Sequence, residues 1–160
     1  MDTMTHDHSN LRPKIALYEP DIPQNTASIV RTCSCLGAQL EIIEPCGFLL
    51  SDKRFKRVVM DYASLSKIVR HNSFEAFKKK YKKSRIVLMT TKAKKLYHKF
   101  KFKKNDMLLF GKESAGVPEE IHRILKNKIK IPMNKKTRSL NVAMSVAIVA
   151  SEALRQNNLL

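Results

Sequence analysis

The stretch KIALYEPDIPQNTASIVRTCSCLGAQLEIIEP, Lys14 to Pro45, decides the fold class. Its opening, KIALY, is a short apolar run stopped at Glu19-Pro20, which reads as a buried strand. Pro23 then precedes Asn25, a residue type suited to capping, so the spacing predicts a helix from there through Leu36, closed by Gly37. LEIIE, Leu40 to Glu44, is a second strand, stopped by Pro45 and Gly47. Strand, helix and strand in so short a span form a βαβ unit, whose strands run parallel in one sheet.

The same pattern continues downstream. Ser73 to Tyr81 reads as a helix, while RIVLMT (Arg85 to Thr90), MLLF (Met107 to Phe110) and KIKI (Lys128 to Ile131) read as further strands, making five. Short apolar runs between helices predict an α/β domain with a parallel sheet buried on both faces. The last helix, Leu140 to about Gln156, is small and apolar nearly all round: Val142, Ala143, Met144, Val146, Ala147, Val149 and Ala150 precede its first charge, Glu152. A surface helix would carry a polar stripe; this one predicts burial on several sides, against the sheet and a second copy in a homodimer.

With 160 residues and 43% hydrophobic content, the chain can bury a core without metal or disulfide staples. The expected organisation is a flexible polar leader over residues 1–13 and a single domain over 14–160. Lys and Arg number 31 against 14 acids, a formal charge of +17. A lysine bias alone would raise glutamate too, so the scarcity of acids points to a polyanionic partner, nucleic acid. No run approaches the roughly 20 apolar residues of a membrane span, and MDTMTHDHSNLRP lacks a signal peptide's apolar core, which predicts a cytoplasmic protein without membrane partners. Cys33 and Cys35 would point to opposite faces of a helix, and with Cys46 they make neither a disulfide nor a chelate. His6 and His8 lack companions at zinc-like spacing, so no metal is expected.

In open α/β sheets ligands bind where strands end and helices begin, which nominates the loops after Tyr18, Thr90, Phe110 and Ile131. Two of the chain's four glycines, Gly111 and Gly116, flank KESA directly after MLLF. Scarce glycine at a strand end signals close backbone approach. No GxGxxG occurs, and Gly116 is followed by Val117-Pro118 instead of Lys-Ser/Thr, which disfavours a dehydrogenase and an NTPase. Taken singly, Glu113 reads as a loop acid, and Asn25, Arg31, Ser139 and Asn141 as caps or ion-pair partners. Together, placed at successive strand ends of a basic chain, they read as one site.

The segments EPDIPQNTASIVR, LLFGKESAGVP and IPMNKKTRSLNVAMSVAIVASEALRQ, with DKRFKRVVMDY between the first two, closely resemble the SpoU branch of the SPOUT RNA methyltransferases. The resemblance runs from about Leu17 to Gln156 with three motifs in order. It is closest to the minimal single-domain members, which methylate the ribose 2′-oxygen of the tRNA wobble nucleotide. It implies a parallel-sheet SPOUT fold with a C-terminal deep trefoil knot, a homodimer whose two subunits build the active sites, and S-adenosyl-L-methionine as methyl donor, leaving as S-adenosyl-L-homocysteine. By the same resemblance the donor touches Met89, Thr90, Gly111, Ile131, Ser139 and Leu140. Arg31 is the central catalytic residue, with Asn25, Glu113, Ser139 and Asn141 orienting loops and ribose. A guanidinium stays charged in proteins, so the expected role of Arg31 is to hold the phosphate and stabilise negative charge on the 2′-oxygen, not to take its proton. A Cβ at Gly111 is expected to stand between backbone and adenosine.

Relatives of this kind usually read NTGN where this chain has Asn25-Thr26-Ala27-Ser28. They also carry Pro and Arg at Lys112 and Ala115, Asn at Met144 and Tyr at Ser151. Ala27 is benign in a helix only if no ligand needs its space. With no appended RNA-binding domain, the surface itself must hold tRNA. Lys53, Arg54, Lys56, Arg57 and Arg138 are the first candidates, and the lysines of KKKYKKSR and KAKKLYHKFKFKK the next. Tyr97, Phe100 and Phe102 among those lysines read equally as base-stacking platforms and as core residues. Two competing readings stand beside wobble methylation: the same chemistry at another tRNA or rRNA position, and an RNA-binding protein without catalysis.

Overall fold

The computed structural model describes residues 12–59 and 68–160. Its strands are β1 (Lys14–Tyr18), β2 (Leu40–Ile43), β3 (Ile68–His71), β4 (Ile86–Met89), β5 (Lys95–Leu96), β6 (Met107–Phe110) and β7 (Asn127–Lys130). They form one sheet in the order β3-β2-β1-β6-β4-β7-β5, and every neighbouring pair is parallel. The helices are α1 (Pro23–Leu36), α2 (Lys53–Val59), α3 (Phe74–Lys80), α4 (Glu119–Ile124) and α5 (Val142–Gln156).

Period-two alternation in β1 sets the layers. Ile15 and Leu17 join Ile29 and Val30 of α1 and Val146, Val149 and Ala153 of α5 in one buried cluster. Ala16 and Tyr18 turn to the other face, with Phe74 and Phe77 of α3 and Ile121 of α4. A sheet buried on both sides needs apolar runs in its central strands, and β6 is fully buried along MLLF.

Burial of a charge has to be matched by partners. Glu41 of β2 is wholly inaccessible, and burial pushes its carboxyl pKa up. It receives Gln39 Nε2 at 2.9 Å, the Tyr81 hydroxyl, and His71 Nε2 at 3.1 Å from the adjacent strand. Arg85 clamps buried Asp106 with two bonds, Nε to Oδ1 at 2.8 Å and Nη2 to Oδ2 at 2.6 Å, fixing the start of β4 beside the turn into β6.

Several expectations change. Asn25 is not the cap of α1: Ile22 holds that position, Pro23 opens the helix, and Asn25 lies in the first turn, its side chain free to point elsewhere. The sheet has seven strands, not five, because β3 and β5 are too short and too polar to stand out. Six-residue α4 is likewise below the length at which periodicity shows. Phe100 and Phe102 do not lie in a strand. Their rings meet edge-on at 5.0 Å, Phe102 is buried, and Gln156 of α5 bonds their backbone through Phe102 N and Phe100 O, both at 2.9 Å. Core packing, not base stacking, accounts for them.

The last helix starts at Val142, behind Asn141, and is not buried all round, since Met144 is 58% exposed. Cys33 is buried while Cys35 is exposed, on opposite sides of α1 as expected, and both are free. Arg12 donates to Leu36 O at 3.0 Å and Leu159 O at 3.1 Å. Residues 1–11 of the leader, with His6 and His8, lie outside the described residues, as do residues 60–62 of DKRFKRVVMDY. No described helix is long and apolar enough to cross a membrane, and the described residues contain no group of three or more His, Cys, Asp or Glu placed to hold a metal.

Candidate active site

All four nominated loops converge beyond the C-terminal ends of β1, β4, β6 and β7, around a pocket of about 430 Å³. This is where ligands sit in open parallel sheets. The predicted donor-site residues Met89, Thr90, Gly111, Ile131, Ser139 and Leu140 all line it, and so do Asn25, Glu113 and Asn141. Its volume falls within the few hundred Å³ usual for cofactor-sized ligands. Met89, Phe110, Ile131 and Val142 offer an apolar wall, with Thr90, Ser139 and Asn141 as polar groups.

A chain of side-chain hydrogen bonds ties the three motif segments together. Asn141 caps α5, its Oδ1 accepting from Ala143 N at 2.8 Å and Met144 N at 3.3 Å. Its Nδ2 donates to Asn25 Oδ1 at 2.9 Å, and Asn25 Nδ2 reaches Glu113 Oε1 at 3.4 Å. Glu113 Oε2 accepts from the backbone N–H of Asp21 at 2.9 Å. Displacement from the capping position is what lets Asn25 bridge the first and third motifs.

Gly111 and Gly116 form a pinch. Lys112 and Gly116 exchange backbone bonds at 3.1 and 2.8 Å, and Gly116 takes a left-handed φ of 67°. A Cβ on Gly111 would stand 2.5 Å from Gly116 Cα and 2.6 Å from its carbonyl carbon. The steric demand on Gly111 is therefore set first by the protein's own backbone.

Asp21 and Ser114 belong to the same cluster; neither stands out in sequence, because one aspartate between two prolines looks like any loop acid. The Ser114 hydroxyl donates to Asp21 Oδ2, while Asp21 Oδ1 is buried with no donor from another described group. A hydrogen bond with Glu113 holds the Asp21 carboxyl below its usual range; burial, then that same bond, raises Glu113. The two neighbouring carboxyls are thus pushed in opposite directions, Asp21 toward the ionised form and Glu113 toward the neutral one. Because its folded pKa is raised, the stability contributed by Glu113 is full below the ordinary carboxylate range and is lost as pH rises through the folded value. Glu113→Gln never ionises; with its oxygen kept for Asp21 N it loses the acceptor for Asn25 Nδ2, a cost that does not vary with pH. Its melting temperature should gain on the wild type as pH rises from the ordinary carboxylate range through the raised folded value of Glu113. A pH-independent difference would show that Glu113 binds its proton no more tightly when folded.

Arg31 is not brought to this pocket within the chain: it is exposed and more than two turns into α1. Lys53, Arg54, Lys56 and Arg57 project from α2 around buried Phe55, and Arg138 is exposed in the loop before α5. Among the departures, Ala27 packs in the core and not in the pocket, Lys112 pairs with Glu19 at 2.9 Å, and Ala115 lines the pocket. His122, unforeseen in sequence, is a buried lining residue whose pKa is depressed by burial and then by Lys92.

The SpoU rRNA Methylase family profile matches residues 12–151. A protein of Beijerinckia indica named tRNA (cytidine(34)-2'-O)-methyltransferase is 48% identical over 89% of this chain and 90% of its own length. A solved structure described as "Structural insights into the 2-OH methylation of C/U34 on tRNA" superposes with a TM-score of 0.88 at 37% identity, covering 93% of this chain and 98% of that one. An AdoMet-bound rRNA methyltransferase from Sinorhizobium meliloti gives 0.81 at 25% identity, over 90% of this chain and 56% of that one. The motif order, the pocket those motifs close and the profile match over most of the chain agree: this protein belongs to the SpoU rRNA methylase family.

Proposed function

We propose that the chain is an S-adenosyl-L-methionine-dependent tRNA 2′-O-methyltransferase acting on the ribose of the wobble nucleotide. The observation that carries this is the hydrogen-bonded chain from Asn141 through Asn25 to Glu113, which closes one pocket from three motif segments. Similarity across nearly the full length to proteins named for this reaction supports the target.

In this reading Met89, Thr90, Gly111, Ile131, Ser139 and Leu140 hold the donor. Once bound, it supplies an electrophilic methyl group on a sulfonium. The residues have to do the rest: exclude water, hold the ribose in line, and favour negative charge on its 2′-oxygen. Arg31 carries that charge role as a fixed cation, and Asn25, Glu113, Ser139 and Asn141 position the loops and the ribose. Arg31 lies outside the pocket of its own chain, so the active site draws it from a second copy in a homodimer. The half-exposed Met144 and Leu140, at 58% and 41%, support such an interface. A C-terminal deep trefoil knot completes the fold in this proposal, and a tRNA substrate places the enzyme in the cytoplasm. Lys53, Arg54, Lys56, Arg57 and Arg138 contact phosphates.

Mapping 2′-O-methyl groups in RNA from cells with and without the gene tests the assignment. A methyl lost at the wobble nucleotide is the expected result, and loss only at another tRNA or rRNA position overturns it.

A further inference from the structure

The N-terminal ends of β4 and β7 open a second concavity of about 520 Å³, at the opposite end of the sheet from the active site. Lys78 and Lys79 reach it from the last turn of α3, Lys82 from the turn that follows, and Lys126 from the link between α4 and β7. All four are exposed, and none has an ion-pair or hydrogen-bond partner among the described residues. Arg85 also lines the groove but is committed to Asp106. One carboxylate, Glu75, faces four unpaired ammonium groups.

A structural role for these charges covers only part of the set. Lysines in the last turn of α3 complement its dipole, worth about 0.3–1 kcal/mol each. Lys82 and Lys126 lie outside that helix. The floor of the groove is apolar, with the Tyr81 ring, Ile86, Leu125 and Ile124, which is 48% exposed. A cationic rim over an apolar floor matches a phosphate backbone with its riboses and bases, not a small anion.

We propose that this groove is a second RNA-contact surface, where Lys78, Lys79, Lys82 and Lys126 take backbone phosphates of the tRNA whose nucleotide enters the active site. The inference rests on the tRNA reading above. It deepens that reading by requiring the substrate to extend past the pocket by more than a strand length, about 13 Å for four residues. Recognition is then divided between the two ends of one sheet, chemistry at the C-terminal end and sequence-independent positioning at the other.

The test is Lys78→Ala, Lys79→Ala, Lys82→Ala and Lys126→Ala combined in the full chain, with tRNA binding measured across a salt series. Each phosphate contact contributes about 0.7–0.9 to the slope of log Kd against log salt, so the slope should fall by about 3. The Kd and the KM for tRNA should rise at least about tenfold near 0.15 M salt. Donor affinity and kcat at saturating tRNA should stay unchanged. The matching Lys→Arg set should restore slope and KM, because phosphates read charge here. An unchanged slope and Kd, or a kcat loss at unchanged KM, overturns the proposal. The slope is read without turnover: a wild type that binds tRNA but leaves the wobble nucleotide unmethylated refutes the function, while the groove is still judged by its lysines.

Discussion

Gly111→Val should abolish S-adenosyl-L-methionine binding in calorimetry and destabilise the fold by about 2–3 kcal/mol. The new Cβ meets backbone atoms of Gly116 at 2.5 and 2.6 Å and Val117 N at 3.0 Å, none of which can swing aside as a side chain tip does. Relief requires opening the Lys112–Gly116 bridge, and with it the strand-end loop that forms one wall of the pocket. Gly111→Ala introduces the same first atom, so it should already weaken donor binding by more than about 100-fold, a loss of about 2.7 kcal/mol. Undiminished donor affinity in either variant would remove Gly111 from the donor site. By contrast, Gly116 has open space around its Cβ direction and is constrained only by its positive φ.

Arg31→Ala should lower kcat by about 10²–10³ with donor affinity unchanged, the scale seen when one preorganised donor to a developing oxyanion is removed. Its place on the exposed side of α1, away from the donor pocket of its own chain, is what separates the two readouts. Arg31→Lys keeps the charge and loses the planar fork. Retention of about a tenth of wild-type kcat would assign the effect to charge, while activity as low as that of Arg31→Ala would assign it to bidentate geometry. A parallel fall in donor affinity would contradict the division of labour between Arg31 and the pocket.

What could be read from sequence was whatever depends on local chemistry. β1, α1 and β2 follow from a run of apolar residues, Pro23 and Gly37, and the structure keeps their bounds within a residue of those expected, except that α1 is capped three residues earlier, at Ile22. The loops after Tyr18, Thr90, Phe110 and Ile131 were identified by strand ends and scarce glycine, and all four meet at one pocket. What stayed hidden depends on partners far along the chain. Asp21 reveals its role only beside Glu113 and Ser114, more than 90 residues away. Glu41 in the middle of a strand looks like a solvated face until His71 and Tyr81 are set against it. β5 exists because β7 offers a pairing edge, not because Lys95-Leu96 has strand character. Asn25 was misassigned for a related reason: a local capping rule competed with Pro23, whose missing N–H suits it to the first helical position.

The amide chain in the active site has a direction. Because the free N–H groups of α5 require an acceptor, Asn141 must offer them its oxygen and is left with only its amide hydrogens for Asn25. Asn25, its own oxygen thereby spent, can only donate, and Glu113 Oε1 can only receive. A flip of Asn25 would break two bonds at once, and a flip of Asn141 three. The polarity of a helix end is in this way transmitted through two side chains to a carboxyl group on another loop, whose other oxygen, Oε2, is left to accept from the backbone of Asp21.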